Sequence, residues 1–294
     1  MFAKLLEPPY YRAEISIWPE GSIVDLQIRM KRRICPVCDD ANLKTRQNAY
    51  GRLPWAIIDC AGCGFTHMRD VPETEELVDA LAWEKTFAVE AERRRVHTPV
   101  QSWMDTHMRW RLNMLPRTEP VDIVNRDAVA GPVIDLGCGS GEHLQKFDTK
   151  FTPYGVEISA QLASRAEAVV AARGGRIEQA SSHEALMRFP DETFSAATLR
   201  SYLEHDADAG PVLAALARKL KRGGFAVVKV PNYGSINRQV MGAKWCGIRL
   251  PDHVNYFTRG SLAALAKRHG LSIRFPFLLC LPTDDNMIAI LQRV

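Results

Sequence analysis

An apolar run that ends in an acid and opens onto alternating glycines carries the clearest chemistry in this 294-residue chain: Val133-Ile134-Asp135-Leu136-Gly137-Cys138-Gly139-Ser140-Gly141. Glycines at alternate positions let the backbone turn sharply and approach a ligand where a side chain would collide. Glu142 to Lys146 can then open a helix whose unpaired N–H groups face the same ligand. This is the pattern of a nucleotide-type cofactor site. A dinucleotide fingerprint would read G-x-G-x-x-G, but its third glycine position here holds Glu142. Downstream, Tyr154-Gly155-Val156-Glu157-Ile158-Ser159 reads as a second strand ending in an acid. Glu157 lies about twenty residues past the loop, where the acidic partner of a ribose is expected. Taken alone, Glu157 is equally well a solvated carboxylate at a strand end.

Four of the seven cysteines fall as Cys35-Pro36-Val37-Cys38 and Cys60-Ala61-Gly62-Cys63. Two C-x-x-C knuckles at this spacing supply four soft ligands, which predicts a tetrahedral zinc centre. An iron–sulfur centre or a redox dithiol is the alternative. Four thiolates fill the zinc shell, so the site is expected to be structural, with no open position for a reacting water. His67 follows at metal-like spacing but is not needed as a ligand. Cys138, Cys246 and Cys280 are isolated, and Cys138 reads as a small filler of the glycine loop rather than a nucleophile.

These groups need elements to position them. From Pro132 onward, strands and helices alternate, which predicts an α/β fold with a mostly parallel sheet covered on both faces. Strands are expected near 133–136, 153–156, 176–179, 194–200 and 225–230. Helices are expected over 160–172 and 211–220, the latter closed by Lys221-Arg222 and a Gly223-Gly224 cap. Residues 271–279 and 287–292 read as two final strands joined by a turn. Ahead of the knuckles, Ile15–Trp18 and Ile23–Ile28 alternate like short strands. Val71 to Glu76 resembles a helix start, followed by helical segments at 76–95 and 100–115. The expected domains are 1–70 (N-terminal segment and zinc ribbon), 71–120 (helical linker or lid) and 121–294.

The net charge of +4 is only mildly basic, well short of a nucleic-acid footprint. Lys31-Arg32-Arg33 and Arg93-Arg94-Arg95 are local exceptions. They read either as solvated faces or as a patch for phosphates on a substrate, lipid or RNA. No run approaches the roughly 18 apolar residues of a membrane span. The N-terminus lacks the apolar core of a signal peptide, so a cytoplasmic location is expected.

Residues 34–294 resemble class I S-adenosylmethionine (SAM) methyltransferases with an N-terminal four-cysteine ribbon, a bacterial group linked to polysaccharide, sugar or secondary-metabolite tailoring. Five passages carry the resemblance. They are Cys60-Ala-Gly-Cys63-Gly-Phe65 with Pro72 to Leu77; the glycine loop; Phe189 to Phe194 leading into Tyr202-Leu203-Glu204-His205; Leu220 to Phe225 through Val230-Pro231-Asn232; and Trp245, Pro251-Asp252-His253 and Phe257-Thr258. The resemblance implies a Rossmann-like sheet with a C-terminal antiparallel hairpin. It also implies SAM as cofactor beside the structural zinc, with contacts from Asp135, Gly137, Cys138, Gly139, Gly141, Glu157, Ile158, Ser181, Ser182 and Arg200. The family commonly has Phe-Asp where this chain has Phe194-Ser195, and an acid near the adenine where this chain has Ser181 or Ser182. Both departures are expected to thin the cofactor contacts.

Methyl transfer to a hydroxyl or an acidic carbon needs a base, and ligands bind above the C-terminal ends of the strands. Glu204 and His205 follow the fourth strand, while His253 and Tyr256 lie in the insertion after the fifth. These four are the catalytic candidates. The plainer reading makes His205 a packing residue and His253 a loop-ordering one. Trp103, Trp110 and Trp245 could stack on a sugar or aromatic acceptor, or could be packing anchors. The expected acceptor is a small molecule, sugar or glycan, with O- or C-methylation favoured. RNA gripped by the ribbon, and a noncatalytic SAM-binding scaffold, are the other readings.

Overall fold

The computed structural model describes residues 10–17, 24–41, 46–52, 54–73 and 118–293. The expected helical segments at 76–95 and 100–115 lie outside these residues, as do Arg93 to Arg95, Trp103 and Trp110. Two compact units divide the chain: residues 1–32 with 72–119, and residues 33–71 with 120–294. In the first, β1 (Tyr10–Ile17) and β2 (Val24–Arg32) pair antiparallel, with Ala13 opposite Ile28.

The second unit contains both the cysteine segment and the large sheet. Its ribbon strands are β3 (Arg46–Gln47), β4 (Ile57–Asp59) and β5 (Thr66–Met68). β6 (Asp70–Pro72) follows, so Val71 and Pro72 end a strand instead of starting a helix. Helix α1 (Pro120–Asp127) then begins with proline at its first position, where a missing N–H costs nothing. The remaining strands are β7 (Gly131–Leu136), β8 (Phe151–Glu157), β9 (Ile177–Gln179), β10 (Phe194–Arg200), β11 (Leu220–Pro231), β12 (Asn255–Tyr256), β13 (Leu271–Arg274) and β14 (Asn286–Arg293). Seven of them form one sheet in the order β13-β14-β11-β10-β7-β8-β9. β7 to β11 run parallel, and β14 is antiparallel to both β11 and β13. The expected Rossmann-like methyltransferase sheet with a closing antiparallel hairpin is therefore present.

Strand alternation sorts the core onto two faces. Ile134, Leu136, Ala197, Leu199, Val228 and Val230 pack with α3 (Ser182–Met187), α4 (Ala209–Lys219) and α5 (Arg259–Arg268). Val133, Ala196 and Val227 pack with α1 and α2 (Ala160–Val170). The ribbon residues Cys35, Val37, Cys60 and Phe65 belong to the first of these clusters. Ribbon and sheet thus share one core. Their backbones are also joined: β12, from the insertion after β11, pairs antiparallel with β5, Asn255 opposite His67 and Tyr256 opposite Thr66.

Two local expectations fail. No α-helix follows the glycine loop, only a 3-10 turn at Leu144–Lys146, because Phe147 at φ -67°, ψ 135° already turns the chain extended. Gly223-Gly224 do not cap α4, which ends at Lys219. They bulge inside β11, where the register jumps from Phe194–Leu220 to Ala196–Phe225.

Candidate active site

The glycine loop leaves β7 at the C-terminal edge of the sheet. The N–H groups of Gly137 and Cys138 both donate to Val156 O, at 2.9 and 3.0 Å, tying the loop to β8. Gly137 has φ +72°, and an added Cβ would come within 2.6 Å of the Tyr202 ring, so a larger residue there would collide with the adjoining loop. At Gly139, with φ +55°, an added Cβ would meet nothing within 4 Å. The open side of the loop is therefore a cradle floored by backbone. Cys138 is buried, with its Sγ packed where a Cβ on Gly155 would lie, and burial pushes its thiol up. It is a filler, as expected.

Two acids flank the cradle. Glu157 accepts hydrogen bonds from the N–H groups of Gly139 and Ser159, both at 2.9 Å. Asp135 is buried and accepts from the Thr198 hydroxyl at 2.6 Å. Loss of water pushes its carboxyl up to about 7; Thr198 and Arg200 oppose the shift and Glu157 adds to it. Ile158 follows Glu157 and precedes the α2 cap, Ser159. Ser181 caps α3, accepting from Glu184 N at 3.4 Å. Ser182 is buried in the first turn of α3. Arg200 ends β10 and is exposed. Ser195, by contrast, begins β10 and donates to Pro132 O at 3.0 Å. It sits about 16 Å of extended chain from Arg200, at the opposite edge of the sheet. The Phe194-Ser195 departure therefore does not touch the cradle, contrary to expectation.

The second cluster stands beyond Tyr202. Glu204 is 1% exposed, His253 is 4% exposed and His205 is half-buried. The two imidazole rings lie 4.7 Å apart at 86°. His205 Nδ1 bonds Asp252 O and His253 Nδ1 bonds Gly247 O, each at 2.9 Å. Burial raises the Glu204 carboxyl to about 8. Burial, aided by the Arg249 charge, lowers His205 to about 4. Both shifts favour the neutral forms. Tyr256 is buried in β12 beside Tyr233, and burial holds its phenol well above the usual range. Trp245 is 2% exposed and donates to Asp285 Oδ1 at 2.7 Å. It is a packing anchor and not a platform for an acceptor.

The four knuckle cysteines converge. Cys35 and Cys63 Sγ are 3.6 Å apart, as are Cys38 and Cys60 Sγ, and all four sulfurs lie within 4.8 Å of one another. A tetrahedral zinc at about 2.3 Å from each sulfur would space them about 3.8 Å apart, so the residues fit the ion.

Sequence reasoning missed the side chains that bind these parts together. Arg33, read as one of a basic cluster, is buried, and desolvation lowers its pKa to about 10. It donates to Val254 O, Ala207 O and Asn255 Oδ1 at 3.1, 2.7 and 2.9 Å. Asn255 in turn donates to Leu203 O and Asp206 O at 2.8 and 2.7 Å. The N–H groups of Val254 and Asn255 donate to Glu204 O. The ribbon and the insertion thus hold the Glu204–His205 turn in place. An arginine two residues before a cysteine knuckle was the one available signal, and charge alone reads as surface.

A family profile described as a methyltransferase domain matches residues 104–274. Among solved structures, the YcgJ protein of Bacillus subtilis is similar at 16% identity, over 60% of this chain and 98% of that one, with a TM-score of 0.45. A SAM-dependent methyltransferase of Thermotoga maritima, described as a possible histamine N-methyltransferase, is similar at 15% identity, over 68% and 98%, with a TM-score of 0.46. One from Archaeoglobus fulgidus is similar at 16% identity, over 56% and 86%, with a TM-score of 0.45. No curated protein matches the chain.

Proposed function

The chain belongs to the methyltransferase-domain family, and from that premise we propose that it transfers the methyl group of SAM to a hydroxyl or acidic carbon of a small-molecule or glycan acceptor. The observation that carries this reading is the Glu204–His205–His253 cluster, which starts two residues past Tyr202, whose ring packs on Gly137 of the cradle, and which is pinned by the insertion. SAM supplies a methyl carbon on a sulfonium, whose departure leaves a neutral thioether. The cradle at Gly139 gives the nucleoside a backbone floor, and Glu157 offers a carboxylate for its ribose hydroxyls. The two acids, Asp135 and Glu157, favour a cationic ligand over an anionic one.

On the acceptor side, Glu204, His205 and His253 can take a proton from the attacking group. A buried carboxyl raised to about 8 is a stronger base, once ionised, than an ordinary carboxylate. Orientation of the two reactants supplies much of the remaining acceleration. The ribbon holds zinc through Cys35, Cys38, Cys60 and Cys63 and acts structurally. Its strand β5 carries β12, so it helps build the wall of the acceptor site.

The test begins with calorimetric titration of the zinc-loaded protein with SAM. Transfer of labelled methyl to a panel of sugars, phenols, polyketide-like metabolites and RNA follows. The reading predicts micromolar SAM binding, transfer to a small hydroxylated or carbon-acid acceptor, and loss of transfer with retained SAM binding in His205→Gln. Transfer to RNA alone would refute it.

A further inference from the structure

We propose that Glu204, His205 and His253 form a binding site for a divalent cation of the manganese-to-zinc series, whose open positions take oxygen atoms of the methyl acceptor. The proposal rests on the acceptor-side reading of this cluster given above. One ligand atom from each residue lies within 4.8 Å of the other two. Glu204 and His205 are neighbours in the loop after β10, whereas His253 comes from the insertion after β11, so only the fold brings the third group to the other two.

The hydrogen bonds around the cluster point the same way. The carbonyls of Asp252 and Gly247 can only accept, so Nδ1 of His205 and Nδ1 of His253 must each carry the proton. That puts the lone pair of both rings on Nε2. Fixing one imidazole nitrogen on a backbone carbonyl, so that the other carries the lone pair for a ligand bond, is how metal-binding histidines are oriented. The carboxylate adds a separate observation. Glu204 is 1% exposed, and its Oε2 has no hydrogen-bond partner among the described residues. A buried carboxyl oxygen without a partner is costly, and a cation would satisfy it.

The donor set selects the ion. Two imidazoles and one carboxylate are too few oxygens for calcium and too nitrogen-rich for magnesium, but they suit the first-row divalent metals. Metal–ligand distances of about 2.1 Å would draw the three atoms to about 3 Å from one another. Three protein ligands leave positions for a hydroxyl, or for two neighbouring oxygens, of the acceptor. The bound hydroxyl would lose its proton to water near neutral pH. Its oxygen then bonds to the methyl carbon, the carbon–sulfur bond breaks with its electron pair on sulfur, and a methyl ether and a thioether result.

The test is titration of the zinc-loaded full chain with Mn²⁺, read by the loss of the free-ion electron paramagnetic resonance signal, with no SAM and no acceptor present. Manganese competes poorly for four thiolates, so the ribbon stays occupied by zinc. One Mn²⁺ per chain is expected, weakened about a hundredfold in Glu204→Gln and in His253→Gln. Zinc content and SAM binding should stay at the wild-type level in both. Cobalt gives a readout that needs no variant: added Co²⁺ should show weak visible bands of nitrogen and oxygen ligation without thiolate charge transfer. Absence of Mn²⁺ and Co²⁺ binding in the wild type, or Mn²⁺ binding by the two variants as tight as that of the wild type, would overturn the proposal. Mn²⁺ bound by a protein that does not bind SAM would uphold the cation site and overturn the methyl-transfer reading instead.

Discussion

Replacing Asp135 by asparagine should make the protein more stable at neutral pH and not at acid pH. Asp135 is 3% exposed, and its Oδ1 accepts the Thr198 hydroxyl at 2.6 Å. Burial lifts its carboxyl from the ordinary 3.8 to about 7. The folded value lies above the unfolded one, so the native state binds more protons between the two. Stability therefore falls as pH rises from about 4 through about 7, and the full cost applies above that. At about 1.36 kcal/mol per pKa unit, ionised Asp135 costs the native state about 4 kcal/mol. Asparagine keeps an oxygen for Thr198 and carries no charge. Urea unfolding of both proteins across this range, at constant zinc, isolates the effect, because other groups titrate alike in the two. The stability difference should grow in favour of Asp135→Asn by about 3–4 kcal/mol between about pH 4.5 and about pH 8. A difference that does not change with pH would refute the buried-acid reasoning.

The other predictions concern the cofactor, the ribbon and the pinning residues. Glu157→Ala should raise the SAM dissociation constant about 10–100-fold, the worth of charge-assisted hydrogen bonds to a ribose, measured by calorimetry. Unchanged affinity would sink that role. Cys38→Ser should lose zinc by elemental analysis. It should also lower the thermal midpoint of the whole second unit in one transition, because Cys35, Cys60 and Phe65 share the core of the sheet; a lone early transition would contradict a shared core. Asn255→Ala removes donors to Leu203 O and Asp206 O, about 2–3 kcal/mol of net hydrogen bonding. It should lower the rate of methyl transfer far more than SAM affinity, and an equal loss in both would argue against a positioning role.

Much of this was legible along the chain, because the informative signals are local. The glycine loop, Asp135 and Glu157 announce themselves by type and by spacing within one β-α-β stretch. The strand pattern from 131 to 231 follows from apolar runs bounded by turns, and each observed strand overlaps its expected range. The cysteine pairs are legible for the same reason, since each knuckle is four residues long. Local reading failed where backbone geometry overrode composition. Gly223-Gly224 look like a helix cap but serve a bulge in β11. Ser195 looks like a missing cofactor contact but lies at the far edge of the sheet.

By itself, the sequence determined the sheet, the cofactor loop, the four-thiolate cluster and the list of residues able to move a proton. Each of these depends on residues near one another in the chain. Only the tertiary structure decided that the ribbon is not an appended module. β12 leaves the methyltransferase insertion to become the edge strand beside β5, and Arg33 is buried beneath it to hold Val254, Ala207 and Asn255. Only there does His253 meet Glu204 and His205. Such contacts span up to about two hundred residues of chain. They are set by packing and by the need of buried polar groups for partners, and no local pattern encodes them.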